Sequence, residues 1–522
     1  MAKSNPYYYL FFDVLFWRYI LVKYNNSKLV EHETLIQEDF KRLNYPVKNW
    51  VPSFIGPNNK PVIDVLIIGG GMNGLAAAFA LRCQGIQNIR QVDQKEFGQA
   101  GPWLNFARME YLRSPKHLTG PALNIPNLTF RAWWEAKNSN VKWEKLGFIK
   151  REEWAEYLEW FEKITNSKIE YNTKVTNIDF VKLKNTEKHK LRACYRVNTK
   201  NTKDTNRLST EPATNDPIYA RYIVLANGRE GLAQPRVPKV FKNIKSKNIF
   251  HSSEKINFSF FKNKRVFVVG VGASALDNAA CAAEAGGSVT VIARAPKMPL
   301  LNKMKNTVYP GFAEGFHALE DIEKLTWITH IQNERIAPPK HTVERVEKLG
   351  IELILGSEVY DIKEVERKFE LTIFDLKSKT KTFADFIILG TGFVINLKKI
   401  PELESFSSNI LLWKDVLKSY KKGGSSVIEM LEFPYLGKKF EFKSKEVSKQ
   451  NHLKNFRCFN HAAQLSLGNL ANDIPHSNEG AQRLAKGISE DLFEEDKAIH
   501  FKNLKNYNEL EITGSEWSQI PD

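Results

Sequence analysis

The chain has 522 residues, which is too long for a single hydrophobic core, so about two to four domains are expected. Its formal net charge of +17 comes mostly from scattered lysines, and the chain has no block of basic and aromatic residues of the kind that binds nucleic acid. The four cysteines include no close pair, which argues against a redox dithiol or a cysteine zinc site and favours a reducing, cytoplasmic compartment.

Residues 1–60 are predicted to form a helical arm that ends in an extended segment. Within it, residues 7–22 are strongly aromatic and apolar, but they contain Asp13 and Arg18 and are short for a membrane span. No small-residue cleavage site follows them, which argues against a signal peptide. The favoured interpretation is an amphipathic helix packed on the protein. A peripheral membrane contact through this aromatic segment is the alternative.

The first nucleotide-binding motif follows this arm. An apolar strand breaks into G-x-G-x-x-G at Gly69, Gly71 and Gly74, and the next strand, residues 88–93, ends at Asp93, 19 residues beyond Gly74. In such a turn the first glycine makes the bend, the second lets backbone N–H groups reach a pyrophosphate, and the third lets the helix pack on the strand. An acid at this spacing accepts hydrogen bonds from ribose hydroxyls, so the motif predicts FAD or NAD.

The region between the two motifs is predicted to complete the first unit. One helix carries large apolar residues at helical spacing, which are expected to face the core: Trp154, Tyr157, Leu158 and Phe161. Strands are predicted at residues 175–180, 191–197 and 222–228, with a polar loop at 198–216.

A second motif repeats the plan of the first. An apolar strand breaks into G-x-G-x-x-A at Gly270, Gly272 and Ala275, and the following strand leads to Arg294, 19 residues beyond Ala275. An arginine in this place pairs with a 2′-phosphate, whereas an acid would repel it. The second motif therefore predicts NADPH, and Lys297 is expected to add positive charge.

The two units also end alike. A strand ending in Leu-Ala-Asn-Gly at 225–228 matches one ending in Leu-Gly-Thr-Gly at 389–392, and each is expected to stop at a glycine where a side chain would collide with the cofactor or the backbone. Further strands are predicted at 351–355 and 369–374. A late helix is predicted at 481–493 and a loose tail beyond about residue 502.

Taken together, these motifs resemble the class B flavoprotein monooxygenases, which include the flavin-containing, the Baeyer–Villiger and the lysine and ornithine N-hydroxylating monooxygenases. The likeness covers roughly residues 60–500 and includes a His-Ser element at 250–253 and segments at 101–103, 112–121 and 434–437, which are similar to an uncharacterised bacterial branch of FAD/NAD(P)-binding oxidoreductases. The Baeyer–Villiger signature is broken, because lysines occupy its Phe, Gly and Trp places: Lys245, Lys247 and Lys255. The N-hydroxylase signature is approached at residues 385–393.

The resemblance implies an α/β protein with two Rossmann-like dinucleotide-binding domains, of which the NADPH domain is inserted into the FAD domain. The expected order is the helical arm at 1–60, the first part of the FAD domain at 61–235 and the NADPH domain at 236–390. The completion of the FAD domain, together with the substrate side, is expected at 391–500, followed by a tail at 501–522.

The same resemblance assigns the candidate binding residues. For FAD they are Gly69, Gly71, Met72, Asn73, Gly74, Asp93, Gln94, Trp103, Asn227 and Gly228. For NADPH they are Gly270, Gly272, Ala273, Ser274, Ala275, Arg294, Gly390, Thr391 and Gly392. No metal site is predicted.

The catalytic candidates lie beside the expected flavin position, where a cation would stabilise charge on the flavin adduct or the nicotinamide. They are Arg113, Lys116, His117 and His251, with Arg108 as a further cation. For each cation the alternative is a surface charge or an ion-pair partner, and for His251 it is a hinge residue.

The implied activity is a FAD- and NADPH-dependent monooxygenation. One oxygen atom of O2 would pass through a C4a-peroxyflavin to a small organic substrate, at a nucleophilic nitrogen or sulfur. Two alternatives stay open: an NAD(P)H-dependent flavin oxidoreductase without oxygen insertion, and a non-enzymatic flavoprotein that serves as a redox sensor or regulator. The expected partners are the small-molecule substrate and O2, without nucleic acid.

Overall fold

The computed structural model describes residues 27–183, 193–203, 216–334, 336–375, 377–418, 425–471 and 473–513. The aromatic segment at 7–22, for which a membrane contact is the open alternative, lies outside the described residues. Among the described helices, none combines the length and the apolar composition that crossing a membrane requires.

Twelve α-helices occur in the described part of the chain. They are α1 (Ser27–Arg42), α2 (Met72–Cys83), α3 (Phe130–Lys137), α4 (Arg151–Ile164), α5 (Ala273–Glu284), α6 (Pro310–Gly315), α7 (Asp321–Asn333), α8 (Lys340–Lys348), α9 (Trp413–Val416), α10 (Ser425–Met430), α11 (Gln464–Leu467) and α12 (Ser477–Lys505).

Eighteen strands accompany these helices in the same described ranges. They are β1 (Phe54–Ile55), β2 (Pro61–Ile68), β3 (Ile89–Val92), β4 (Ile169–Glu170), β5 (Thr173–Lys182), β6 (Ala193–Asn201), β7 (Ile218–Leu225), β8 (Ala233–Pro235), β9 (Ile249–His251), β10 (Arg265–Val269), β11 (Ser288–Ala293), β12 (Glu352–Leu355), β13 (Glu358–Val365), β14 (Lys368–Phe374), β15 (Lys379–Ala384), β16 (Phe386–Leu389), β17 (Phe393–Ile395) and β18 (Phe456–Cys458).

The first sheet has the strand order β4-β3-β2-β7-β6-β5, and its central pairs β3–β2 and β2–β7 are parallel. β1 pairs with β2, and β18, from far along the chain, pairs in parallel with the end of β7. Because β18 follows the whole second sheet in sequence, the second unit is inserted into the first, as the resemblance predicts.

The second sheet, in the order β12-β11-β10-β16-β9, is entirely parallel. A three-stranded antiparallel sheet, β13-β14-β15, comes between β12 and β16 in the chain. β8 pairs with β17 where the chain passes between the two units. The carboxyl ends of β2 and β10 both run into glycine turns, so the topology places a nucleotide-type turn at the end of a central strand in each unit.

The long helix α12 joins the first sheet through a buried ion network. The Arg221 guanidinium on β7 donates to Asp496 Oδ2 at 2.8 Å and Oδ1 at 3.1 Å, and to Glu495 at 3.1 Å. Because Arg221 is 2% exposed, these carboxylates are what makes its burial tolerable. The C-terminal region is therefore held against the FAD-side unit.

The predicted elements agree with the structure in type and differ in bounds. The four large residues of α4 expected in the core are buried. The late helix extends from Ser477 to Lys505, past its predicted end and into the predicted tail, and β6 extends to Asn201, into the predicted polar loop. Between α9 and α12 the described elements are short.

Candidate active site

Two glycines of the first turn are required by the protein itself. Gly69 has φ +121°, and a Cβ there would approach the carbonyl of Ala226 to well under 3.0 Å. A Cβ on Gly74 would approach the carbonyl of Gly69 to well under 3.0 Å. These positions serve the bend and the close packing of α2 on β2, as the motif predicts.

Gly71 differs from these two glycines. A Cβ placed there would meet only Gly101, with Cα at 3.5 Å, so no protein atom requires the glycine. Gly71 is the N-cap of α2, and Met72 and Asn73 are the first residues of the helix. The space beside Gly71 therefore faces unpaired backbone N–H groups at a helix N-terminus, an arrangement that binds a pyrophosphate. The Asn73 side chain donates to the carbonyl of Ala471 at 2.8 Å.

Asp93 lies at the end of β3 beside the turn. Its carboxylate accepts hydrogen bonds from the backbone N–H of Gly70 at 2.6 Å and of Lys95 at 2.7 Å. Burial raises the pKa of Asp93, and the two backbone hydrogen bonds oppose that rise. Gln94, the next residue, is exposed, and its carbonyl accepts a hydrogen bond from Thr202.

A narrow cleft opens from this turn. Its lining consists of Gly70, Gly71, Leu75, Gly98, Ala100, Trp103, Ala155, Leu158, Glu159, Glu162 and Tyr171. The Tyr171 hydroxyl donates to Glu162 at 2.5 Å. Burial raises the pKa of Glu162 to about 7, a rise that the hydrogen bond from Tyr171 opposes and that the charges of Glu159 and Asp93 increase.

The residues around this cleft fit FAD. Carboxylate groups next to the turn can accept hydrogen bonds from ribose hydroxyls and would repel an additional phosphate, which separates this site from an NADPH site. The indole nitrogen of Trp103, on the cleft wall, is buried and has no hydrogen-bond partner among the described residues. Such a donor needs an acceptor, which the phosphates or the polar ring edge of FAD can supply.

The second turn repeats the geometry. Gly270 has φ +119°, and a Cβ there would approach the carbonyl of Gly390 to well under 3.0 Å. A Cβ on Gly272 would have no described atom within 4 Å. Gly272 is the N-cap of α5, with Ala273 as its first residue, and Ser274 exposes its side chain there. This open cradle at a helix N-terminus fits a second pyrophosphate, that of NADPH.

Arg294 follows β11 in this unit, and Lys297 follows it closely. Both side chains are exposed, and neither makes an ion pair or a hydrogen bond with a residue in the described ranges. Two cations at the end of the strand next to β10 fit a 2′-phosphate, as the sequence predicts.

The strands that end each unit are anchored differently. Asn227 accepts a hydrogen bond from the side chain of Asn460 at 2.8 Å, and Gly228 has φ +73°. In the second unit the Thr391 hydroxyl donates to the carbonyl of Arg236, and the Arg236 N–H donates to the carbonyl of Gly392 at 2.8 Å. In the first unit the strand end is held by Asn460, which comes from a later part of the chain. In the second unit it is held by Arg236, in the connection between the two units.

His251 is held at this same connection. Its Nε2 lies 3.0 Å from the carbonyl oxygen of Gly392 and its Nδ1 2.8 Å from the hydroxyl of Ser253. A neutral ring that donates from Nε2 and accepts at Nδ1 satisfies both contacts, and burial lowers the pKa of His251, which favours that neutral form. These contacts favour the alternative of a hinge residue over a catalytic acid.

The structure separates the predicted cations after Trp103. The Lys116 ammonium donates to the carbonyls of Trp143 at 2.7 Å and Leu146 at 2.5 Å, so it closes a turn, and this position does not favour the predicted catalytic role. His117 is exposed. Arg108 donates to the carbonyls of Asn105 and Glu254 and so connects the two units.

Arg113 is the remaining catalytic candidate, and it has two neighbours that the sequence analysis did not single out. Arg229 and Asp473 are both exposed to solvent. Burial lowers the pKa of Arg113, the charge of Asp473 opposes that fall, and the charge of Arg229 adds to it. Arg229 directly follows Asn227 and Gly228, so its place after a terminal strand was the available signal. No sequence signal pointed to Asp473, because it lies in an irregular segment far along the chain.

The sequence of the chain is similar to those of known flavoproteins. Residues 141–395 match the family model described as L-lysine 6-monooxygenase/L-ornithine 5-monooxygenase. The FAD-dependent urate hydroxylase of Xanthomonas campestris pv. campestris is 28% identical over 494 residues, which are 94% of this chain and 98% of that protein.

Solved structures show the same fold. The ornithine hydroxylase of Pseudomonas aeruginosa matches with a TM-score of 0.64 and 16% identity over 83% of this chain and 100% of its own. The L-lysine 6-monooxygenase of Pseudomonas syringae matches with a TM-score of 0.60 and 18% identity over 83% of this chain and 99% of its own. The predicted resemblance, the two-unit fold and the expected class of enzyme are confirmed by these matches.

Proposed function

Taking the chain as similar to FAD- and NADPH-dependent flavoprotein monooxygenases, we propose that it transfers one oxygen atom of O2 to an electron-rich centre of a small nitrogen-containing substrate. The observation that carries the proposal is the open space beside Gly71 and Gly272, each at the N-terminus of a helix. The chain that carries these two sites aligns along 94% of its length with a flavin-dependent hydroxylase. The reaction would consume NADPH, a proton and O2 and yield NADP⁺, water and the oxygenated substrate.

The residues of the first unit would hold FAD. The backbone N–H groups at Gly71, Met72 and Asn73 would bind its pyrophosphate, and Asp93 its ribose. Trp103 would donate its unpaired indole N–H to the cofactor. When bound, FAD supplies the redox chemistry, because it accepts a hydride from NADPH and activates O2.

The residues of the second unit would hold NADPH. Gly272, Ala273 and Ser274 would bind the pyrophosphate at the start of α5, and Arg294 with Lys297 would bind the 2′-phosphate. His251 would orient the strand end at Gly392 rather than transfer a proton. These roles follow from the open space, the free donors and the exposed cations described above.

Two substrate classes are open to this proposal. The family model that matches residues 141–395 is named for lysine and ornithine monooxygenases, and the solved structures include an Erwinia amylovora cadaverine monooxygenase, so an amine nitrogen is one candidate. The full-length relative is named for urate, so a heterocycle is the other.

The test is the stoichiometry of NADPH oxidation by the FAD-loaded protein with amine and heterocyclic substrates. We expect one substrate to give an oxygenated product, detected by mass spectrometry with ¹⁸O2, in equal amount to the NADPH consumed. Hydrogen peroxide equal to the NADPH consumed with every substrate would contradict the proposal and indicate an oxidase or reductase.

A further inference from the structure

We propose that Glu162, held by Tyr171, binds the adenosine part of FAD as a neutral carboxylic acid, and that FAD binding therefore weakens as the pH rises above neutrality. The inference rests on the proposed binding of FAD at the first glycine turn and deepens it. Asp93 is the acid that the dinucleotide motif itself supplies. Glu162 is a second acid, on a helix outside that motif, and it gives the site a proton-dependent contact.

The strands β3 and β4 end side by side at the cleft. They pair in parallel, with Val92 opposite Glu170, and the N–H of Asp93 donates to the carbonyl of Glu170 at 3.0 Å. Asp93 and Tyr171 are the residues that directly follow these two strands. The motif places the adenosine ribose at the acid after β3, so Tyr171 belongs to the adenosine end of the cleft.

Glu162 reaches the same end of the cleft from α4. Its carboxyl group accepts a hydrogen bond from the Tyr171 hydroxyl at 2.5 Å, and both residues line the cleft together with Gly70 and Gly71 of the turn. Burial raises the pKa of Tyr171, which keeps its hydroxyl protonated and able to donate. Glu162 is only partly buried, so a ligand in the cleft can contact the rest of its carboxyl group.

The surroundings of Glu162 disfavour its charged form. Burial raises its pKa to about 7, and the charges of Glu159, which also lines the cleft, and of Asp93 add to that rise. Glu162 also lies in the last turn of α4, at the negative end of the helix dipole. Lys95, the cation that acts on Asp93, is exposed to solvent, which screens its charge.

A neutral acid suits the adenosine part of FAD better than a carboxylate does. Its O–H can donate to a ring nitrogen of adenine, and its carbonyl oxygen can accept from the adenine amino group. A carboxylate can only accept, and its charge would repel the pyrophosphate proposed to bind at the turn. The proton on Glu162 therefore supplies a donor and removes a repulsion.

The experiment measures the Kd of FAD and of ADP-ribose for the full-length FAD-free protein between pH 6 and pH 8. ADP-ribose contains the adenosine and the pyrophosphate but no flavin, and neither ligand titrates in this range. When only the neutral form of Glu162 binds, its pKa of about 7 makes the affinity fall about tenfold from pH 6 to pH 8. We expect this fall for both ligands, measured by flavin fluorescence for FAD and by calorimetry for ADP-ribose.

Glu162→Gln should remove the pH dependence, because an amide stays neutral and both donates and accepts. This variant should bind FAD at pH 8 about as tightly as the wild type does at pH 6. Glu162→Ala should bind FAD about two- to tenfold more weakly than Glu162→Gln at every pH, the loss expected for a neutral hydrogen bond.

The control is Glu170→Gln, because Glu170 lies at the same strand ends but pairs with Arg90, whose Nη2 is 2.7 Å from its carboxylate. This variant should keep the pH dependence of the wild type. Melting temperatures at pH 6 show whether each variant is folded, and the pH dependence of the wild type tests the inference without any substitution.

Three results would overturn the inference. They are a constant Kd of FAD in the wild type between pH 6 and pH 8, a tenfold fall in affinity that remains in Glu162→Gln, and a fall for FAD that is absent for ADP-ribose. None of these results contradicts oxygen transfer. Hydrogen peroxide as the sole product, with pH-dependent FAD binding that requires Glu162, would support the inference and overturn the monooxygenase. FAD binding by Gly71→Ala as tight as by the wild type would overturn both the first-turn site and the inference.

Discussion

A methyl group placed on Gly390 would lie well under 3.0 Å from the Cβ of Ala275. The third position of the second motif is alanine, and the strand end that approaches it, Gly390, is glycine. In the first motif the order is reversed, with Gly74 in the motif and Ala226 at the strand end. Each unit therefore combines one glycine with one alanine at these two matching positions.

Gly390→Ala should destabilise the inserted unit, because two methyl groups cannot share this space. We expect a loss of about 1–3 kcal/mol, as for overpacking in a core, and a lower melting temperature by circular dichroism. Ala275→Gly added to Gly390→Ala should restore only part of the loss, because the new methyl group would still lie 2.8 Å from the Cα of residue 275. A double variant as unstable as Gly390→Ala alone would show that another contact is responsible.

Gly71→Ala should fold like the wild type and lose FAD. The added methyl group meets no close protein atom but occupies the space proposed for the pyrophosphate. Flavin content of the purified protein and the melting temperature of the FAD-free form are the two measurements. Gly74→Ala is the matched comparison, since it should impair folding itself. Full flavin occupancy in Gly71→Ala would show that the space beside Gly71 does not bind FAD.

Arg294→Ala should weaken NADPH and spare NADH. Loss of a charge-assisted pair with the 2′-phosphate corresponds to about ten- to a hundredfold in KM for NADPH. The measurement is the KM for NADPH and for NADH, from steady-state kinetics of the wild type and the variant. Arg265→Ala, an exposed arginine at the opposite end of the same sheet, should change neither value. Equal use of NADH and NADPH by the wild type would contradict the assignment.

Glu162→Gln should alter how the stability of the FAD-free protein depends on pH. The folded-state pKa of Glu162, about 7, lies above its ordinary value of 4.5, so the folded protein holds a proton here that the unfolded chain releases. This contribution to stability is complete below about pH 4.5 and is lost as the pH rises through about 7.

Melting temperatures of the FAD-free wild type and Glu162→Gln between pH 5 and pH 8 test this, because the glutamine cannot ionise. The variant should lose less stability than the wild type across that range. Tyr171→Phe serves as a comparison. It removes the hydroxyl that donates to Glu162 and opposes the rise of the pKa of Glu162, so this variant should lose stability more steeply than the wild type as the pH rises. Parallel curves for wild type and Glu162→Gln would contradict the proposed titration.

The sequence alone determined the two units, their order and the nucleotide-type turns, because those features are local. A strand, a glycine turn, a helix of small residues and a charged residue at constant spacing are written in one continuous stretch, and the backbone geometry of the turn follows from the residues themselves. The opposite charges of Asp93 and Arg294 were readable for the same reason.

Only the tertiary structure separated residues that look alike in sequence. Gly69 and Gly71 are both motif glycines, yet one is required by the carbonyl of Ala226 and the other faces open space. Lys116 and Arg113 are cations of one loop, yet Lys116 is bound by two carbonyls and Arg113 is not. The Asn73 side chain donates to the carbonyl of Ala471 across most of the chain, and no sequence spacing encodes a contact that forms only when the C-terminal segment packs between the two units.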